Sequence, residues 1–372
     1  MLNKIAHKCN LCVGIIFSFN LIFISVELMA APFHKDNTVT KKLFLHTKVQ
    51  CVGRYLIDVP QSFENQIHDM IFIDDFKIES KPLHLPAFEQ RVERRKRELE
   101  ESISKPENRL DNAPFIKEII TLPDNRGFIF DHNRNGSDDS FREIEAHVYV
   151  DKIAFIITSE ILDLSSMKYS KERESYLKAG FYLKQTNDKP IKIAELRSLI
   201  SRLSGRKDEN IPIEKGVCIP NGFIRDNETH HQERITFRYY TNDFTFGLET
   251  DNTEKGSGNT LFIRSSEVEQ ELTLSGYKRS ISRKEFSPGG IPVQQWLVGG
   301  KRSVNREMEA RGEKVSIYDF ILYANEARAS LRHPWLSIGL NSEYNDTQYS
   351  ESEMIAIWDR LVGSLRYRPG AF

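Results

Sequence analysis

The sequence predicts an α+β protein of two related lobes, each a mostly antiparallel sheet with covering helices. Short segments of alternating apolar and polar residues recur between turn residues, as in antiparallel sheets. A cysteine-led segment occurs twice, from Cys51 and from Cys218. Each copy is followed by about 150 residues that end in an amphipathic helix, and this spacing is typical of two domains of ordinary size.

Length and composition agree with two folded domains. At 372 residues the chain can bury a core in each lobe, and its 39% hydrophobic and 10% aromatic content is that of a globular protein. Its 52 basic and 53 acidic residues nearly cancel, which gives a formal net charge of -1. A balanced surface argues against nucleic acid or an acidic lipid surface as the main partner.

The N-terminus carries the pattern of a secretory signal peptide. Lys4 and Lys8 precede an apolar run over residues 11–26, and small residues follow it. We therefore expect residues 1–30 to be removed as a signal peptide, so that the mature protein begins near Ala31 in the periplasm. An uncleaved inner-membrane anchor is the alternative, because the run approaches the ~20 residues that span a bilayer.

In the first lobe, alternation predicts strands and an apolar stripe predicts a helix. The helix begins after Pro86, and its stripe places Phe88, Val92 and Leu99 on one face. Acidic and basic residues interleave on the other face, which indicates a solvated surface rather than a nucleic-acid site. The predicted strands cover residues 49–59, 70–73, 76–80, 126–131, 143–150 and 154–158, and further helices cover 170–179 and 193–203.

A polar segment broken by proline, residues 204–212, separates the lobes. We place the boundary there, so that the N-terminal lobe covers residues 31–207 and the C-terminal lobe covers residues 208–372. A second amphipathic helix, near 354–365, closes the chain in the way that the helix near 193–203 closes the first lobe. The predicted strands of the second lobe cover residues 235–240, 244–250, 261–264, 293–298, 317–325 and 335–340.

Catalytic signatures are weak or absent in this sequence. It contains no Gly-x-Ser-x-Gly elbow of an α/β-hydrolase. Residues 299–302, Gly-Gly-Lys-Arg, imitate a phosphate loop but lack its earlier glycine and its Ser or Thr, so a strand-end turn is expected. His230 and His231 are adjacent, and neighbours on a strand or helix cannot both face one ion. We therefore expect no catalytic residue, no cofactor and no metal site.

Cys51 and Cys218 are the disulfide candidate, because they are the two cysteines that remain after signal removal in a compartment that permits disulfides. A bridge would close a loop of more than 160 residues, worth about 4 to 5 kcal/mol in the chain-entropy model. The alternative is a pair of buried thiols at equivalent positions of a duplicated fold. Both remain open, since sequence does not give the geometry that a disulfide needs.

Three segments carry a family resemblance. Residues 51–60 (CVGRYLIDVP), 216–223 (GVCIPNGF) and 358–372 (WDRLVGSLRYRPGAF) together resemble the immunity proteins cognate to lipase effectors of the bacterial type VI secretion system. The resemblance covers roughly residues 45–372, both the N-terminal and the C-terminal part of that family. It implies that the partner is a phospholipase toxin delivered into the periplasm. It also implies inhibition by stoichiometric clamping of the toxin's lid or active-site face, without chemistry in the immunity protein.

The alternative function is an envelope enzyme or a solute-binding module with its site in the cleft between the lobes. A small-molecule pocket with convergent ionisable groups would favour it, whereas a broad dry groove would favour the clamp. We expect no nucleic-acid partner and no stable membrane insertion after signal cleavage. The partner-binding residues are not identifiable from the sequence.

Overall fold

The computed structural model describes residues 38–303, 306–343, 345 and 347–372, which form runs of strands separated by helices. The expected signal peptide, residues 1–30, lies outside the described residues. Within those ranges, no helix is both long and apolar enough to cross a membrane.

The first half of the chain, residues 38–205, opens with a short helix and a strand hairpin. Its strands are β1 (Thr47–Val52), β2 (Tyr55–Pro60), β3 (Ile71–Ile73), β4 (Phe76–Pro82), β5 (Ile116–Thr121), β6 (Gly127–Asn133), β7 (Phe141–Val150), β8 (Ile153–Leu162) and β9 (Leu203–Gly205). Its helices are α1 (Thr38–Leu43), α2 (Leu85–Glu101), α3 (Ser170–Lys178) and α4 (Lys189–Arg202).

The second half, residues 216–372, repeats this order from its own hairpin. Its strands are β10 (Gly216–Ile219), β11 (Gly222–Arg225), β12 (Glu233–Tyr240), β13 (Thr245–Asp251), β14 (Lys278–Phe286), β15 (Val293–Arg302), β16 (Val315–Ala324), β17 (Trp335–Asn341) and β18 (Arg366–Tyr367). Its helices are α5 (Ser265–Ser275), α6 (Arg306–Arg311) and α7 (Glu351–Gly363).

Both halves share one antiparallel sheet of 12 strands. Its strand order is β14-β15-β16-β17-β13-β12-β3-β4-β8-β7-β6-β5. Each half therefore contributes six strands, and in each half the first two are followed by the remaining four in reverse order. This matching order is what duplication of one unit produces. The halves meet where β3 pairs with β12 over three residues, from Ile71 opposite Ile235 to Ile73 opposite Glu233. We call this junction the seam.

The two halves also exchange strands. β18, at the end of the second half, pairs with β2 in the hairpin of the first half. β9, at the end of the first half, pairs with β11 in the hairpin of the second half. The result is two small sheets, β1-β2-β18 and β10-β11-β9, each with strands from both halves.

Each cysteine-led segment folds as a hairpin, so the prediction of one strand over residues 49–59 was wrong. The chain turns at Gly53, which has a positive φ of 60° that glycine adopts without steric cost. Asn221, with φ 56°, lies at the corresponding turn of the second copy, and Asn is among the residues that tolerate this conformation. The segment that was predicted as one strand therefore contains a turn of two residues, Gly53 and Arg54.

The two closing amphipathic helices cover the sheet, as predicted. α4 contacts β8, and α7 contacts β16. A capping box at Ser350 and Glu353 begins α7 and satisfies backbone groups that the helix leaves free. Trp358 is fully buried, and its Nε1 donates to Gln295 Oε1 at 2.9 Å. The buried residues are Leu196, Leu199 and Ile200 in α4 and Met354, Ile357, Trp358, Leu361 and Val362 in α7.

Most of the remaining predicted elements are present, and the α+β class is confirmed. The strand predicted over 261–264 was wrong, because these residues form a turn that leads into α5. Side chains take the backbone donors there: Leu261 N–H donates to Glu326 Oε2 at 2.7 Å and Phe262 N–H donates to Gln294 Oε1 at 3.1 Å. The segment predicted as a linker, 204–212, begins inside β9. The lobe boundary at 207/208 stays a prediction.

Candidate partner-binding surface

Cys51 and Cys218, the disulfide candidate, lie together where the two hairpins meet. They form a disulfide with a Cα–Cα distance of 5.8 Å, and both side chains are fully buried. Two backbone hydrogen bonds of 2.9 Å join Gly53 and Cys218 beside it. The disulfide therefore ties the first half to the second at their hairpins.

Arg54 is the centre of a buried ionic cluster next to this disulfide. Its Nη1 lies 2.9 Å from Asp226 Oδ2, and its Nη2 lies 2.5 Å from Glu233 Oε1. The guanidinium also donates to the carbonyl of Ala371 and lies 5.4 Å from the centre of the Phe372 ring. A planar guanidinium with five donors suits this arrangement, because it can bind two carboxylates at once. The cluster joins the first hairpin to β12 and to residues 371–372.

The seam lies beside an acidic cleft of roughly 530 Å³. Six carboxylates line it, from Asp74, Asp75, Glu160, Asp188, Glu233 and Asp251. Each has a protein partner: His231 for Asp74, Lys192 for Asp75, Arg134 for Glu160, Leu162 N–H for Asp188, Arg54 for Glu233 and Thr253 for Asp251. These acids therefore hold loops and strands in place. They do not form an unpaired acid–base couple of the kind that hydrolysis requires.

The adjacent histidines do not form a shared ligand set. His231 Nδ1 lies 2.7 Å from Asp74 Oδ2, and its Nε2 lies 3.0 Å from Asn227 Oδ1. Burial tends to raise the pKa of Asp74, but His231 and the Gln232 N–H outweigh it and hold that pKa below its usual range. The contact between Asp74 and His231 connects the β3–β4 turn of the first half to the segment before β12 in the second half.

Exposed apolar side chains cluster around one helix in each half. In the first half they lie within residues 167–183, on and around α3, and include Tyr182 at 71% exposure. We call this the α3 patch; it consists of Met167, Leu177, Phe181, Tyr182 and Leu183. In the second half they flank α5 and include Leu274 at 72% exposure. We call this the α5 patch; it consists of Ile263, Leu274 and Tyr277.

Ion pairs and hydrogen bonds to Asp139 hold the segment that carries the α3 patch. Lys168 Nζ lies 2.6 Å from Asp139 Oδ1, and the Tyr169 hydroxyl donates to the same carboxylate. Lys117 Nζ lies 2.9 Å from Asp139 Oδ2. Arg173 on α3 donates to the carbonyl of Leu164 at 2.5 Å. Polar contacts thus hold the segment in position while its apolar side chains face solvent, an arrangement typical of protein-binding surfaces.

Comparison with known protein families shows which family this chain belongs to. Protein-family models match the N-terminal domain of Tle cognate immunity protein 4 over residues 48–206 and its C-terminal domain over residues 210–370. The chain belongs to the Tle cognate immunity protein 4 family. The resemblance seen in the sequence is confirmed for both parts of that family. Membership of this family indicates an immunity protein that binds a lipase effector.

Solved structures with the same fold support this assignment at the level of architecture. The immunity protein TplEi of the type VI secretion system from Pseudomonas aeruginosa, in its apo form, is 17% identical, with a TM-score of 0.63 over 87% of this chain and 98% of that chain. The same protein complexed with an "L" peptide has a TM-score of 0.60. A chain of the Tle4–Tli4 complex is also 17% identical, with a TM-score of 0.63 and the same coverage. No curated protein matches the sequence significantly.

Sequence reasoning missed Arg54, although it stands three residues after Cys51 in the repeated segment. Its partners lie 172 and 179 residues away, and a local pattern does not report such distant contacts. The sequence contains little indication of the two apolar patches, because single exposed leucines are ordinary on a protein surface. The sequence does not show which of these apolar side chains face solvent.

Proposed function

We propose that this immunity protein neutralises a cognate lipase effector of the type VI secretion system by forming a stoichiometric complex with it. The α3 patch and the α5 patch contact the apolar surface around the lipase's lid or active-site face, which that enzyme needs in order to meet a membrane. Inhibition is steric and conformational. The protein itself carries out no chemistry on the toxin or on lipid.

One observation carries this proposal: both halves of a Tle cognate immunity protein 4 chain present large exposed apolar side chains beside a helix. Clusters of this kind mark protein or membrane contacts on otherwise polar surfaces. The Tle4–Tli4 complex is a solved example of effector and immunity protein bound together, and TplEi has been solved with a peptide bound. Protection of the cell requires slow release, so we expect nanomolar binding, about -12 kcal/mol.

Substitution of the patches tests the proposal. Tyr182→Ser with Leu183→Ser removes two strongly exposed side chains of the α3 patch, and Ile263→Ser with Leu274→Ser removes the two most exposed side chains of the α5 patch. Each double variant should weaken binding to the cognate lipase by about 30-fold or more, as expected for anchor residues. Ile213→Ser is the matched control, because Ile213 is 85% exposed and belongs to neither patch.

The readout is the dissociation constant, with the melting temperature recorded for each variant. Weaker binding at an unchanged melting temperature supports the proposed contact surface. If both double variants bind as tightly as the Ile213→Ser control, the patches are not the contact surface.

We also propose that the protein acts in the periplasm, where the toxin arrives, after removal of residues 1–30. The basic N-terminus and the apolar run over residues 11–26 support this location. Mass spectrometry of envelope fractions should find a chain that begins near Ala31. Recovery of a chain that retains residues 1–30 would instead establish an anchored form. The lobes are proposed as residues 31–207 and 208–372.

A further inference from the structure

A histidine and two glutamates face one another on β6 and β7. His132 on β6 pairs directly with Glu143 on β7, and Glu145 lies two residues further along β7. Because side chains alternate along a strand, Glu143 and Glu145 lie on the same face as His132. One ligand atom from each of the three residues lies within 4.8 Å of the other two.

A hydrogen bond holds one ring nitrogen of His132, and the other ring nitrogen has no hydrogen-bond partner within the described part of the chain. Its side chain is buried, with 4% of the residue exposed. Nδ1 lies 2.8 Å from the carbonyl oxygen of Asn133 and donates to it. Nε2 has no hydrogen-bond partner among the residues that the structure describes. It lies 3.5 Å from Glu143 Oε1 and 3.4 Å from Glu145 Oε2, which is longer than a normal hydrogen bond.

We propose that His132 Nε2, Glu143 and Glu145 bind a divalent metal cation of the zinc class. The buried nitrogen faces two carboxylates, so the site favours a positive charge there, which either a proton on Nε2 or a cation bound between the three groups can supply. In a tetrahedral zinc site with metal–ligand distances of about 2.1 Å, neighbouring ligand atoms are about 3.4 Å apart. The observed separations of 3.4 and 3.5 Å match that spacing. Glu143 is half-buried, so the open side admits the ion and a water as fourth ligand.

The surrounding contacts are those of a supported metal site. The bond from His132 Nδ1 to a backbone carbonyl is the usual way in which a ligating histidine is held. Glu145 is held in turn by Arg95, with Nη2 2.6 Å from Oε2, and by His147, with Nε2 2.6 Å from Oε1. Because Arg95 lies on α2, the site joins this helix to the β6–β7 hairpin.

Without a metal, a proton on His132 supplies the positive charge. Burial lowers the pKa of His132, but the two carboxylates more than offset this and raise it to about 9. A bound cation displaces that proton, as metals do when they bind histidine. The expectation of no metal site, drawn from the sequence, considered only residues close together in the chain, whereas His132 and Glu143 meet through strand pairing.

Zinc titration of purified protein without a polyhistidine tag tests the proposal. After treatment with a chelator, calorimetry with ZnCl2 should give one ion per chain, and cobalt should give a visible spectrum of tetrahedral type. Glu143→Gln and His132→Gln should each weaken zinc binding by about 30-fold or more. Glu143→Gln serves if His132→Gln does not fold, since Glu143 lies at the rim.

His230→Gln and Glu160→Gln are the matched controls, because they remove an exposed histidine and an exposed glutamate elsewhere. Both should leave zinc binding unchanged. The proposal is overturned if the protein binds no zinc below about 1 mM, or if Glu143→Gln and His132→Gln bind zinc as tightly as the control variants do.

Discussion

Arg54 in the hairpin of the first half and Glu233 on β12 of the second form a buried ion pair, with Nη2 2.5 Å from Oε1. Asp226 holds the same guanidinium at 2.9 Å. The pair lies beside the disulfide and the seam, so covalent, ionic and backbone contacts between the halves are concentrated in one place. This concentration explains how a sheet with only three residue pairs at its centre stays continuous.

Replacing Arg54 should destabilise the whole protein. Arg54→Met leaves Glu233 buried without its cation, and breaking a buried pair in this way costs about 3–5 kcal/mol. The free energy of unfolding, measured in urea at neutral pH, should fall by that amount. Arg109→Met is the control, because the Arg109–Asp111 pair is exposed and such pairs contribute at most about 1 kcal/mol. Equal losses in the two variants would show that the cluster does not join the halves.

Cys51 and Cys218 should be fully oxidised in the purified protein. Alkylation under denaturing, non-reducing conditions, followed by mass spectrometry, should find no reactive thiol at Cys51 or Cys218. Replacing both with alanine should lower the free energy of unfolding by about 5 kcal/mol, since the disulfide spans 167 residues. Two alkylated thiols in the untreated protein would establish the buried-thiol alternative.

The ionised carboxylate of Asp139 should make the free energy of unfolding depend on pH in the acidic range. Burial tends to raise the pKa of Asp139, but Lys168, Tyr169 and Lys117 outweigh it and lower the pKa from about 3.8 to about 2. A carboxyl with a lowered folded-state pKa stabilises the protein above its unfolded pKa and loses that effect as pH falls through the folded value. Asp139→Asn should therefore cost about 1–2 kcal/mol at pH 7, after allowance for solvent screening.

That difference in unfolding free energy between wild type and Asp139→Asn should disappear as the pH falls from about 4 to about 2. Urea unfolding at a series of pH values measures it. Asp138→Asn is the control, because Asp138 is exposed and its nearest cation, Arg109, lies 3.8 Å away. A constant difference across the acidic range would contradict the assigned role of Asp139.

The sequence predicted elements that depend on local periodicity. The stripe that ends in Leu361 and Val362 gave α7, and the stripe that begins at Phe88 gave α2, because each helix buries one face. The sequence analysis did not predict β14, because this edge strand carries few apolar residues. The buried side chains of the pair lie on its neighbour, β15. Edge strands commonly carry charge, which removes the alternation that predicts strands.

Contacts between distant residues could not be predicted in the same way. Strands over residues 126–131 and 143–150 were predicted, but not the register between them, and a shift of one residue would place His132 and Glu143 on opposite faces. The carboxylate partners of Arg54, Asp226 and Glu233, lie in the other half and reach it only where the two halves meet. The family resemblance supplied the function, because its motifs mark the hairpins and the closing helix.

The central claim is that protection requires a stoichiometric complex, and titration of lipase activity tests it most directly. Purified mature protein is added in steps to a fixed concentration of the cognate lipase, well above the expected nanomolar dissociation constant. Activity should fall linearly and reach zero near one equivalent, and it should return when the complex is denatured and the lipase is refolded. Complete inhibition far below one equivalent would contradict the account, because it would mean that the protein modifies its target catalytically.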